Sequence, residues 1–281
     1  MKIIISSEST CDLSKELIEE NNVSIIPYSI ILGDEVVVDN AEVPAKIFEF
    51  VESTGNLPKT SAINEQSYSD YFENLLRECD AVIHITLSGA LTCSVQNAKM
   101  AASKLKNIHI IDSRSLSTGT GLLVLYAAKL AKEGLDAEAI VEKVSARIPA
   151  VQASFVIDRL DYLHKGGRCN ALALFGANLL KIHPQIVLKD GKMGPAKKYR
   201  GKMEKVVEKY CEDTLSEFNT PDKSIGFLTY TTATEEMVTA AKTALENAGF
   251  EKIYITTAGG TVTSHCGENV LGILYLNDGD K

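Results

Sequence analysis

None of the loops that mark common phosphotransfer and hydrolytic enzymes occurs in this sequence. No Gly-x-x-x-x-Gly-Lys-Ser/Thr run exists to cradle ATP phosphates. No Gly-x-Ser-x-Gly elbow exists to present a serine nucleophile. Five histidines are scattered without His-Glu-x-x-His or other paired spacing, so no metal signal is present. Six cysteines, at 11, 79, 93, 169, 211 and 266, form no Cys-x-x-Cys pair and read as reduced thiols of a cytoplasmic protein. No apolar run reaches the roughly 18 residues that span a bilayer. The opening Met1–Ser6 is too short for a signal h-region and reads as a first strand. A formal net charge of −8, from 29 basic and 37 acidic residues, argues against nucleic acid as a partner.

What is present is a chain of 281 residues with 45% hydrophobic content, enough to bury a sizeable core. In the first half, short apolar runs alternate with amphipathic ones. Lys2–Ser6, Val23–Tyr28, Ala81–Leu87 and Ile108–Asp112 read as strands. Ser14–Asn21, Pro44–Ser53, Asn64–Cys79, Thr92–Leu105, Ser117–Glu133 and Asp136–Arg147 read as helices. Strands separated by helices imply βαβ units and a mostly parallel sheet. Ser29–Leu32 and Glu35–Val38 around Gly33-Asp34 predict a hairpin added at its edge.

The pattern changes near residue 150. Val151–Ile157 reads as a strand, followed by a helix from Asp158 to Lys165 and a second one up to Leu180. Asp190-Gly191 between Gln185–Lys189 and Lys192-Met193 is a type I′ hairpin signal. Helices near Gly201–Phe218 and Thr234–Ala248 alternate with strands at Ser224–Tyr230 and Lys252–Thr257. Thr261–Leu276 reads as two strand-like runs turning at Gly267. The expected class is α/β with two domains: an N-terminal one over 1–155 with a parallel sheet flanked by helices, and a C-terminal α+β one over 156–281 with a mixed or antiparallel sheet.

Several segments carry chemistry worth testing. Leu163–Arg168 ends a helix in two glycines and an arginine, whose planar fork suits a carboxylate or phosphate; a plain helix cap with a solvated arginine fits it too. Thr60 and Ser61 precede an expected N-cap at Asn64, where hydroxyls bind an anion or simply cap. Leu87–Ser94 sets Ser88, Thr92 and Ser94 where a strand gives way to a helix, the place where ligands collect in parallel sheets. Leu122–Ala128 is apolar on every side, as a fully buried helix or the wall of a lipid tunnel would be. Six lysines and Arg200 between Lys189 and Lys205 make a local positive patch in an acidic chain. His265 stands in a glycine turn and can hydrogen-bond a carboxylate.

Ser9-Thr10-Cys11-Asp12-Leu13, Lys59-Thr60-Ser61, Leu87–Ala98, Ile111-Asp112-Ser113, Tyr162–Arg168, Lys198–Gly201 and His265-Cys266-Gly267 occur in an order that resembles the DegV family of bacterial fatty-acid-binding proteins. The resemblance runs over almost the whole chain. It implies a two-domain α/β protein that encloses a long-chain fatty acid. The family's Thr-Ser-Gln-Pro-Ser threonine falls on Thr60, with Ser61 beside it. Its Leu-Ser-Gly-Thr serine falls on Thr92, its Gly-Gly-Arg arginine on Arg168, and its His-Thr-Gly-Pro-Gly histidine on His265. The implied role is the acyl-carrying, non-catalytic subunit of fatty acid kinase. A separate ATP-binding subunit phosphorylates the carboxylate for phospholipid synthesis, docking through Lys197, Lys198, Arg200 and Lys202, and the acyl phosphate then meets a membrane enzyme transiently. No cofactor is implied beyond the fatty acid ligand.

Departures from the pattern are Ala62-Ile63-Asn64 for Gln-Pro-Ser, Glu8 for aspartate, Cys93-Ser94 for Gly-Thr, and Glu268-Asn269 for Pro-Gly. Glu268 would repel an anion if it pointed inward. The competing expectation is a stand-alone small-molecule phosphotransferase that uses the hydroxyl-rich turns and His265.

Overall fold

A computed structural model of the chain describes residues 1–169 and 182–279. In chain order its elements are β1 (Ile3–Glu8), α1 (Lys15–Glu20), β2 (Val23–Ile26), β3 (Ser29–Leu32), β4 (Glu35–Val38), α2 (Val43–Thr54), β5 (Lys59–Ser61), α3 (Glu65–Leu75), β6 (Ala81–Thr86), α4 (Ser94–Ala102), β7 (Ile108–Asp112), α5 (Ser117–Lys132) and α6 (Ala137–Arg147). There follow β8 (Val151–Val156), α7 (Asp161–Lys165), β9 (Ile182–Lys189), β10 (Lys192–Arg200), α8 (Met203–Glu217), β11 (Gly226–Tyr230), α9 (Glu235–Asn247), β12 (Ile253–Thr257), α10 (Gly260–Cys266) and β13 (Leu271–Leu276).

The helices start where side chains take up orphan amides. Ser14, Asn64, Asp136 and Thr234 each accept from the amide three residues on, at the heads of α1, α3, α6 and α9. Four strands in the order β2-β1-β6-β7 form an all-parallel sheet. All six residues of β6 are buried, as expected for a central strand covered on both faces. A second sheet, β10-β9-β8-β13-β11-β12, is mixed; only β11 and β12 run parallel. The α/β class with one parallel and one mixed sheet is therefore observed. β8, which the expected division at 155/156 crosses, pairs with β13 and β9 inside the mixed sheet.

Helix α5 lies between the two sheets. Leu123, Val124, Ala127 and their neighbours pack in one cluster with Ile5, Ile83 and Ile85 of the parallel sheet and Phe227 and Leu274 of the mixed one. Its uniform apolarity thus reflects burial in the core. Asp190 (φ 52°) and Gly191 (φ 79°) form the tight turn of the β9–β10 hairpin. The turn is fixed to the parallel half: Ser88 Oγ donates to Gly191 O at 2.8 Å.

Two expectations are corrected. The β3–β4 hairpin does not extend the parallel sheet; β5 joins it in a separate antiparallel sheet of order β4-β3-β5. Lys59–Ser61 is a strand, since Ser29–Ile31 offers it an edge, and the expected cap at Asn64 follows it. Thr261–Cys266 is not a strand but most of α10. Its β-branched Thr261, Val262 and Thr263 favour extended chain. They are overruled by Asp39, whose carboxylate accepts from Gly260 N (2.7 Å), Thr261 N (3.1 Å) and Thr261 Oγ1 (2.7 Å). The helix expected up to Leu180 lies outside the described residues.

Candidate functional site

Strand alternation in β5 turns Thr60 inward and leaves Lys59 and Ser61 exposed. Thr60 Oγ1 lies 2.8 Å from Nε2 of His265, in the last turn of α10. The other ring nitrogen of His265 is buried without a partner. It faces Gly166, where a β-carbon would fall 2.5 Å from Nδ1. The first glycine of the Gly166-Gly167 pair is thus required by close approach, while the second, at φ 68°, reverses the chain. Burial, reinforced by Arg168, pushes His265 down to about 4, so the ring is neutral near pH 7. With its proton on Nε2 the ring donates to Thr60 and leaves only a lone pair unsatisfied. The Thr60 hydroxyl proton is then free to donate into the cavity.

Thr92 sits two residues before the start of α4, with Cys93 between. Its Oγ1 accepts from Ser94 N at 3.2 Å and lies 3.2 Å from the Tyr28 hydroxyl. Tyr28 also reaches Ser94 Oγ at 2.8 Å, and Ser94 Oγ accepts from Ile63 N at 3.1 Å. This chain of hydroxyls joins the end of β2, the segment after β5 and the head of α4. The helix begins at Ser94 rather than at Thr92: Cys93 stands at its N-cap position, and Thr92 Oγ1 takes up the Ser94 amide.

Thr60, Thr92, Arg168 and His265 all line one cavity, together with Thr10, Tyr28, Leu87 and Met193. Arg168 is exposed at its rim and donates from Nη1 to Gly166 O at 2.7 Å. Ser61 is exposed and does not line the cavity. Leu116, Val262 and Cys266 border this cavity and also a second chamber beside it. That chamber runs on to Phe155, Val270 and Leu274 at the mixed sheet. The combined space has hydroxyls at its mouth and mostly apolar side chains along its length.

Glu8 lies behind the mouth, wholly buried. It accepts from Tyr68 Oη (2.5 Å), Leu87 N (2.7 Å) and Thr10 Oγ1 (3.3 Å), tying three elements at the start of the 87–94 loop. Burial pushes its carboxyl up to about 7 against the pull of those donors. Glu268 does not line the cavity and stands near Arg159 and Tyr162 instead, so it places no carboxylate against a ligand there. The basic stretch on β10 is partly neutralised, since Lys197 pairs with Asp213 and Glu217. Among the described residues no cluster of three or more His, Cys, Asp or Glu is arranged to hold a metal ion, and no helix is long and apolar enough to cross a membrane.

Sequence reasoning missed Tyr28, Tyr68 and Asp39. A buried tyrosine at the end of a strand carries no local signature, and Asp39 becomes a helix cap only across 221 residues of chain.

Known proteins match this arrangement over the full length. A DegV domain-containing protein of Caldanaerobacter subterraneus is 29% identical over 279 residues, covering 98% of each chain. A fatty-acid-binding DegV family protein from Thermus thermophilus has a solved structure that matches with a TM-score of 0.90 at 26% identity, covering 98% of this chain and 100% of that one. A stearic-acid-binding protein from Eubacterium ventriosum matches with a TM-score of 0.83 at 25% identity, covering 97% of this chain and 98% of that one. The model of DegV, a family of uncharacterised proteins, fits residues 2–278, and the chain belongs to that family.

Proposed function

We propose that this protein holds a long-chain fatty acid in the two joined chambers and presents its carboxylate at the Thr60–Thr92 mouth to a separate ATP-binding kinase subunit. The observation that carries the reading is the run of mostly apolar space from that hydroxyl-lined mouth to the mixed sheet. The fatty acid bound by the relative from Thermus thermophilus and the stearic acid bound by the one from Eubacterium ventriosum support it.

The residues divide the work by magnitude. Burying a dozen methylenes yields about 10 kcal/mol before the costs of association. One hydrogen bond adds about 1 kcal/mol net, more when it meets a charge. The chambers therefore set affinity, and Thr60, Thr92 and His265 set where the carboxylate lies. A neutral His265 keeps the Thr60 hydroxyl as a donor, and Arg168 at the rim supplies the cation that balances the head group. Phosphoryl transfer belongs to the partner subunit, which docks on the β10 stretch with Lys197, Lys198, Arg200 and Lys202. A cytoplasmic setting, with transient delivery of acyl phosphate to a membrane enzyme, accords with this division.

Organic extraction of the purified chain followed by mass spectrometry tests the reading. A stoichiometric long-chain acid supports it. Protein free of lipid that also fails to bind added palmitic acid refutes it. ATP turnover by the chain alone would favour the stand-alone phosphotransferase instead.

A further inference from the structure

Glu8 does not line the cavity, yet two of its three donors do. Thr10 and Leu87 both border that space and both reach the Glu8 carboxyl, which is wholly buried at the end of β1. The groups around it favour a neutral acid. Tyr68 on α3 and Tyr28 after β2 face it with phenols that burial pushes up, so both keep their protons. Cys11 behind it is pushed up to about 12, and Asp112 at the end of β7 faces it with a like charge. His84 on β6, edge-on to Tyr68, is pushed down to about 3 by burial and stays neutral.

The direction of each hydrogen bond follows from these neighbours. Tyr68 Oη donates to Glu8 Oε1 at 2.5 Å in either ionisation state, because a phenol gives up its proton after a carboxyl does. Leu87 N donates to Oε2 at 2.7 Å. A proton on Glu8 therefore sits on Oε2, whose other contact is Thr10 Oγ1 at 3.3 Å. When ionised, Glu8 draws the Thr10 hydroxyl proton inward, away from the cavity. When neutral, it donates to Thr10 Oγ1 and leaves that hydroxyl's own proton free for the cavity.

We propose that Glu8 is a positioning residue for the fatty-acid head group and acts through Thr10: as a neutral acid it presents the Thr10 hydroxyl to the bound carboxylate, and as an anion it takes that donor back. The proposal rests on the fatty-acid reading and adds to it a residue that touches no ligand. Two anions on either side of one buried hydroxyl repel strongly. An arriving carboxylate thus draws a proton onto Glu8, and by reciprocity a proton on Glu8 strengthens the hold on the carboxylate. Burial sets the crossover of the empty site near 7, up from the ordinary 4.5. Affinity is therefore greatest below about 7 and falls above it.

Palmitic acid titrated from pH 6 to 9 into the full chain and into Glu8→Gln, Thr10→Val and Thr10→Ser tests the proposal. The ionisation of palmitic acid itself, and of Asp12, also raised to about 7, is common to all four chains, and His265 stays neutral throughout. Between pH 6 and 9 the unaltered chain should lose about tenfold more affinity than Glu8→Gln does, the effect of a one-unit shift on binding. Thr10→Ser should keep that excess, whereas Thr10→Val should lose most of it and bind more weakly at pH 6. Parallel profiles for the unaltered chain and Glu8→Gln overturn the proposal. An excess that survives intact in Thr10→Val overturns it too, since Glu8 then acts by charge alone. If palmitic acid fails to bind the unaltered chain at any pH, the fatty-acid reading itself falls, a result distinct from binding with parallel profiles.

Discussion

Replacing Glu8 by glutamine isolates a buried ionisation beneath the mouth. In the folded chain its carboxyl titrates near 7, raised by burial from the ordinary 4.5. A carboxyl with a raised folded pKa keeps a proton that the unfolded chain has already released, so the folded state binds more protons between about 4.5 and 7. Stability then falls as pH rises through that window. The contribution is fully present below the unfolded value and is gone above about 7. A shift of this size corresponds to about 3 kcal/mol in all, of which roughly 2 to 3 kcal/mol disappears between about pH 5 and pH 8.

Glutamine keeps the shape, still accepts from Leu87 N, and cannot ionise. Other groups complicate the raw curve: Asp12 is also raised to about 7, while His84 and His265 are lowered to about 3 and about 4. The histidines act in the opposite sense, since the unfolded chain takes up protons below 6.5 that the folded rings refuse. Those contributions are common to both chains and cancel in the difference. Urea unfolding across this pH range should therefore show Glu8→Gln gaining on the parent by roughly 2 to 3 kcal/mol as pH rises from about 5 to 8. A constant difference would mean that Glu8 is ionised throughout, held by its three donors, and the account of the site's electrostatics would be wrong.

Thr60→Val leaves both ring nitrogens of His265 unpaired and should lower stability by about 1 to 3 kcal/mol in urea unfolding, while Thr60→Ser retains most of it. Gly166→Ala drives a methyl to within 2.5 Å of His265 Nδ1 and 2.9 Å of Tyr162 O, so fatty-acid affinity should drop about tenfold in titration; Gly194→Ala, with open space around it, should behave as the parent chain does. Thr92→Val should weaken fatty-acid binding by less than about 2 kcal/mol yet slow acyl-phosphate formation with a kinase subunit by more than that loss accounts for; transfer at the parent rate would remove Thr92 from the head-group site.

Periodicity made the βαβ half legible, because buried parallel strands and capped amphipathic helices leave strong local signals. The Ala81–Leu87 run and the cap at Asn64 each announce their element within a few residues. The failures share one physical cause. Lys59–Ser61 and Gly260–Cys266 are both short, and each takes its conformation from a distant partner: an edge of β3 in one case, the Asp39 carboxylate in the other. Local propensity is worth tenths of a kcal/mol per residue, and a helix of seven residues is marginal alone, so a buried carboxylate that takes three donors from its first turn decides the outcome.

The same long-range dependence shapes the candidate site. Asp39 closes off the β3–β4 hairpin, and Thr60 belongs to the third strand of that small sheet. Asp39 grips the first turn of α10; Thr60 meets His265 in its last turn. Helix α10 is therefore fastened at both ends to one three-stranded unit, and it delivers Thr261, Val262, His265 and Cys266 to the cavity between those fastenings. Gly260 admits this fit, since a β-carbon there would press to 2.7 Å on Ile30 and Val43. A segment whose own residues favour extended chain is held helical by the sheet that carries the other half of the mouth. Placement of Thr60 against His265 and the helicity of α10 are thus one structural event, and a change that loosens Asp39 must disturb the mouth some five residues further along the helix.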